Sequence, residues 1–124
     1  MAQYTHLNIY KTTYEFLVYY AHMFPHFQRE FRYTIGEALL NHICDFILMI
    51  YKANSAKTNS ERAEVLYIMQ EQMELINVKL RLAQGVKSIS IEKYNNCTKY
   101  TMEMEMQLSG WLSYTLTHKD KNND

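Results

Sequence analysis

Apolar side chains recur along most of this chain in alternating steps of three and four, the spacing that lines one face of an α-helix. The first series is Leu7, Tyr10, Tyr14, Leu17, Ala21 and Phe24, and Pro25 closes it. A second, Ile35, Leu39, His42, Phe46, Met49 and Ala53, sits at Thr34-Ile35-Gly36-Glu37, where Thr34 can cap a helix and Glu37 can reach back to it. Helix two is therefore expected from about Thr34 to Asn54, with residues 26 to 33 either a turn or an early extension of it.

The polar run from Asn54 to Asn59 reads as a connection, and Thr58-Asn59-Ser60-Glu61 offers a second capping box. Leu66, Met69, Met73, Ile76, Leu80 and Ala83 then keep the same rhythm in a third series, which should stop near Gly85. Ser90 is placed to cap helix four, with Ile89 and Tyr94 as a hydrophobic staple, and Tyr94, Cys97, Thr101, Met104, Leu108 and Trp111 make its stripe. The end, His118 to Asp124, is polar and expected to fray. Long helices joined by short connections place sequence neighbours antiparallel. The expected fold is all-α: an up-down-up-down antiparallel four-helix bundle over residues 1–117 as one domain, without internal repeats.

Composition agrees with that pattern. A chain of 124 residues with 48% hydrophobic content supports one core, and three glycines and one proline suit a fold with few tight turns. No uninterrupted apolar run reaches the roughly 18 residues of a membrane span, and Met-Ala-Gln-Tyr-Thr-His lacks the layout of a signal peptide, so a cytoplasmic protein without membrane contact is expected. Cys44 and Cys97 lack ligand spacing and are expected as free, mostly buried thiols.

The 13 basic and 13 acidic side chains cancel, so only the distribution of charge can say anything about partners. In the expected topology, residues 19–38 and 77–99 share one end. They carry Arg29, Arg32, Lys79, Arg81, Lys87, Lys93 and Lys99 against Glu30, Glu37 and Glu92, a surplus of four positive charges, and the remainder has a matching negative surplus. Such an end can hold phosphate, because several Lys and Arg contacts release counterions together. Oligomerisation would concentrate that charge. Tyr19, Tyr20 and Phe16, set off the first stripe, are expected to leave aromatic surface for a protein contact.

Catalytic constellations are missing. A di-iron bundle needs two Glu-x-x-His motifs, and Glu71 and Glu74 have no histidine at the required offset. His22 and His26 are separated by the helix-breaking Pro25, and His42 reads as a hydrogen-bonded residue of the inner stripe. There is no nucleophile elbow, phosphate-binding loop or dinucleotide fingerprint. No enzyme, metal or cofactor is expected.

The order of several short segments carries a resemblance. Phe24-Pro25 closes helix one, Tyr33-Thr34-Ile35-Gly36-Glu37 opens helix two and Ile50-Tyr51-Lys52-Ala53-Asn54 ends it. Leu80-Arg81-Leu82-Ala83, Ile89-Ser90-Ile91-Glu92-Lys93-Tyr94 and Leu108-Ser109-Gly110-Trp111-Leu112 follow in helices three and four. Over nearly its whole length the chain resembles the Avd family, the accessory variability determinants of diversity-generating retroelements, and the related four-helix bundle proteins encoded in 23S rRNA intervening sequences.

The resemblance implies a homopentameric, non-catalytic scaffold that binds the element's reverse transcriptase together with RNA or DNA and supports mutagenic cDNA synthesis. Arg81 matches an arginine of the family's basic surface, whereas Lys79, Lys87, Lys93, Arg29 and Arg32 follow from the charge map alone. Retroelement accessory proteins are usually markedly basic, while this chain has a pI near 7.0, which keeps two alternatives open. These are the rRNA-encoded type and a purely structural oligomeric bundle.

Overall fold

The computed structural model describes residues 3–118 of the chain. Apart from His118, the tail expected to fray lies outside the described residues. The protein is all-α, and no strand occurs among the described residues. Four long helices account for most of it: α1 (Asn8–Met23), α2 (Arg29–Ser55), α3 (Asn59–Gly85) and α4 (Ile91–Thr117). Single 3₁₀ turns, Tyr4–His6 and Phe24–His26, flank α1. Helix α1 packs on α2 and α4, and α3 packs on the same two.

The core stripe of α1 differs from the one expected. Ile9, Thr13, Phe16, Tyr20 and Met23 are buried and Phe27 continues the series, whereas Tyr14 is 50% exposed. Two apolar series one residue apart both fit a helical repeat here, and packing selects the one that places Phe16 and Tyr20 inside. These two rings are fully buried, so they do not form the aromatic surface expected of them. Phe16 packs its ring at 5.7 Å from Tyr100 of α4 and 6.4 Å from Tyr20.

Helix α2 starts five residues before the expected cap. It opens at Arg29 and passes through a π turn, Arg32–Gly36, before regular α-helix resumes at Glu37. Thr34 is inside the helix, its hydroxyl donating back to the carbonyls of Glu30 and Phe31, so the Thr34–Glu37 capping box does not form. The reason for the irregular turn is tertiary. The buried Tyr20 hydroxyl donates to the Gly36 carbonyl at 2.8 Å, and a Cβ at Gly36 would be 3.2 Å from the rings of both Phe24 and Phe27. A glycine lets α2 lie against this aromatic cluster, and the wider π turn brings its carbonyl to Tyr20.

Helix α2 is also the one helix among the described residues whose length and composition could cross a membrane. A stretch of α2 reaches that average hydropathy although no uninterrupted apolar run is as long as a span, because only Glu37 and Asp45 are charged between Arg32 and Lys52. One face of α2, with Leu39, Ile43, Phe46 and Ile50, is wholly buried in the core.

The remaining boundaries follow local chemistry. Thr58 Oγ1 accepts from the Glu61 N–H at 3.1 Å, and Ser90 Oγ accepts from the Lys93 N–H at 3.1 Å, so both serine-threonine caps form. Arg62 adds a clasp not signalled by the sequence pattern: its guanidinium donates to the carbonyls of Ala53 and Ala56 and to Asn59 Oδ1, closing the α2–α3 connection. Asn59 Nδ2 also donates to the carbonyl of His118, and the His118 ring stacks on Tyr114. All six apolar residues expected in the third stripe are buried. In α4, Cys97, Thr101, Met104 and Leu108 are buried, while Tyr94 and Trp111 are partly so. Cys97 is enclosed and its thiol is pushed up to about 12 by burial, whereas Cys44 is exposed, contrary to the expectation for it.

Helix α3 ends in a two-bond motif: the Ser88 N–H reaches the Ala83 carbonyl and the Lys87 N–H reaches that of Gln84, both at 2.9 Å. The left-handed position of this motif is occupied by Lys87, at φ 63°, not by the nearby Gly85. A side chain there costs roughly 1–2 kcal/mol, and glycine returns part of that gain as unfolded-state entropy, so Lys87→Gly is expected to stabilise the fold by about 0.5–1 kcal/mol. Urea unfolding should show a higher midpoint at unchanged slope, and an unchanged midpoint would mean the turn carries no strain.

Candidate nucleic-acid interface

Three connections gather four helix termini. The Tyr20–Gly36 hydrogen bond ties the end of α1 to the start of α2, and Asn96 Nδ2 donates to the Tyr19 hydroxyl at 3.2 Å, tying the same end of α1 to the start of α4. The short turn from Val86 to Ser90 joins the end of α3 to α4. Residues carrying the positive surplus therefore belong to converging segments, as the charge map requires.

Their side chains differ in freedom. Arg29, at the first turn of α2, and Arg81, Lys87 and Lys93 are exposed. Arg32 is half-buried: its guanidinium donates to the Phe27 carbonyl at 3.4 Å and lies 5.9 Å from the centre of the Tyr33 ring. Lys79 is half-buried in the α2–α3 seam, where Nζ donates to His42 Nδ1 at 3.0 Å. That bond leaves the proton of the neutral imidazole on Nε2, which donates to Gln72 Oε1. His42 is thus a hydrogen-bonded residue of the inner stripe, as expected, and it draws Lys79 into the fold.

Arg81 points toward a shallow groove between α3 and α4, shared with Asn77, Tyr94 and Thr98 and flanked by Glu74 and Glu105. Lys87 and Lys93 bracket the turn beyond it. The structure also exposes two residues outside the six candidates. Lys99 borders the groove between α1 and α4, and Tyr33, at 69% exposure, is an aromatic face beside Arg32 at the same end. An exposed ring with an adjacent guanidinium is suited to stacking on an unpaired base. The Arg32-Tyr33 dipeptide was legible, but its exposure depends on the early start of α2.

Among the described residues, no group of three or more His, Cys, Asp and Glu side chains is arranged to hold a metal ion. The arrangement can present several cations and one aromatic ring to a polyanion. No family model and no curated protein matches the chain.

Proposed function

We propose that this chain is a non-catalytic accessory protein of a diversity-generating retroelement, acting in the cytoplasm. In this reading it is an up-down-up-down antiparallel four-helix bundle that assembles into a homopentameric ring. It holds RNA or DNA at its basic end and the element's reverse transcriptase elsewhere on its surface, supporting mutagenic cDNA synthesis. The antiparallel arrangement is supported by the order of contacts between α1 and α4: Thr12, early in α1, bonds Gln107, late in α4, while Tyr19 bonds Asn96.

The observation that carries the reading is the convergence of Arg29, Arg81, Lys87 and Lys93, all exposed, on helix termini that the hydrogen bonds bring together. One copy offers only a few contacts, so a ring supplies the multivalency that a neutral chain lacks. The second reading is a structural oligomer whose basic end has no ligand, favoured by the net charge of zero.

Binding of a labelled single-stranded RNA across a salt series separates the two. The wild-type affinity should fall steeply with salt, and Arg81→Glu should weaken it about tenfold and lower the salt slope by about 1, with the oligomer intact by native mass. An affinity independent of salt, or unchanged in Arg81→Glu, would reject the assignment of this end. A monomeric native mass would reject the ring.

A further inference from the structure

We infer that the outer seam of α3 and α4 is a docking trough for a basic amphipathic helix of a partner protein. Three depressions along this seam run into one another. The first, of about 530 Å³, is floored by Met73 and Leu108 and edged by Tyr67 and Ile68. It shares Glu74 and Glu105 with the next, of about 340 Å³, which adds Val78 and Met102. Met102 and Glu105 continue into a third that reaches Met106, where Lys99 stands beside Glu103. From Tyr67 to Arg81 the α3 wall spans about 21 Å at the helical rise, the length of four turns of a bound helix.

Beyond the first depression the trough has apolar walls where a soluble helix face is normally polar. Val78 is 60% exposed and Met102 and Met106 are each 66% exposed. Unbranched, polarisable methionines adapt to the side chains laid against them, which suits a helix-in-groove contact. Charge selects the occupant. Glu71, Glu74 and Glu105 line the first depression with no basic residue among its lining, and Arg81 stands at the opposite end of the α3 wall. Glu105 accepts from Asn77 at 2.7 Å, and neither Glu71 nor Glu74 has an ion-pair partner among the described residues. A helix with Lys or Arg flanking an apolar face therefore satisfies this rim, its basic side chains directed to the Tyr67 end. Exposed Lys11 and Lys52 on α1 and α2 are offset by Glu15, Glu37 and Asp45, so this part of a second copy is a poor complement, and its basic end is the competing occupant that the oligomer measurement below tests.

The test uses the full chain and a fluorescein-labelled 18-residue peptide with Leu and Lys at helical spacing, beside a Leu/Glu peptide of the same pattern and a scrambled Leu/Lys peptide. The helical Leu/Lys peptide should bind at least about tenfold tighter than either control. Glu71→Lys with Glu74→Lys, and separately Val78→Ser with Met102→Ser, should each weaken it about tenfold while circular dichroism stays unchanged, since all four side chains are exposed. Equal binding of the Leu/Glu peptide or the scramble, or full affinity in either double variant, would overturn the proposal. So would dissociation of a wild-type oligomer by Val78→Ser with Met102→Ser, which would assign the seam to contacts between copies.

Discussion

Phe16→Ala is expected to lower stability by about 3–5 kcal/mol, whereas Tyr14→Ala, two positions earlier, should cost less than about 1 kcal/mol. Phe16 has no exposed surface and packs between Tyr20 of its own helix and Tyr100 of α4. Its removal leaves a cavity between two helices that are held at that distance by neighbouring contacts, so both the lost burial and the unfilled space count. Tyr14 keeps half its surface in water and stacks only on Tyr10, at 5.9 Å. The alternative stripe, with Tyr14 inward, predicts the reverse order. Paired urea titrations decide between them, and a larger loss in Tyr14→Ala would show that α1 is rotated from the orientation described.

The second large effect is at Gly36, where Gly36→Leu should destabilise by about 3 kcal/mol. Its first side-chain carbon alone would come within 3.2 Å of the rings of Phe24 and Phe27 and 3.5 Å of the Phe31 carbonyl. Phe27 is 1% exposed and sits edge-on against Tyr20, so it has little room to move aside. A branched side chain must then push α2 away from the end of α1 and stretch the Tyr20–Gly36 hydrogen bond. Gly36→Ala is the informative companion. Helix propensity favours alanine by about 1 kcal/mol, which offsets much of the smaller ring displacement, so it should lie close to wild type. If leucine were tolerated as well as alanine, the close approach at this corner would not constrain the fold. The consequence reaches the basic end, because the same corner sets where Arg29, Arg32 and Tyr33 emerge.

Much of the helical content was legible because the cues were local. Thr58 and Ser90 cap their helices through hydrogen bonds to residues three positions on, which involve no distant part of the chain. The third stripe was legible for a related reason: Leu66, Met69, Met73, Ile76, Leu80 and Ala83 form the most regular apolar series on α3. The α1 stripe was ambiguous, since Leu7, Tyr10, Tyr14 and Leu17 compete with Ile9, Phe16 and Tyr20, and the buried Thr13 weakens the true series. At Thr34 and Glu37 a local cap competed with a tertiary contact. Continuing the helix through a π turn brings Gly36 to Tyr20 and the two phenylalanines, and the cap is given up.

The candidate site divides in the same way. Charge is additive along a sequence, so the surplus of four positive charges on residues 19–38 and 77–99 follows from a count of side chains alone. Which of those cations face solvent does not. Lys79 is half-buried because His42, distant in sequence and itself bonded to Gln72, meets it across the α2–α3 seam, and Arg32 turns toward the Phe27 carbonyl and Tyr33. The trough on α3 and α4 was equally invisible. Val78, Met102 and Met106 read as ordinary apolar residues until two helices, joined by one turn, set them beside Glu71, Glu74 and Glu105.

By itself, then, the sequence determined the helices, most of their caps, three of the four core stripes in outline and the polarity of charge along the chain. Each of these depends on residues within a turn or two of one another, or on a simple count. Tertiary structure decided the rotation of α1, the π turn at Gly36, the partial burial of Lys79 and the exposure of Cys44 and Tyr33. Those outcomes depend on which residues from distant segments share space, and periodicity alone assigns the same weight to more than one arrangement.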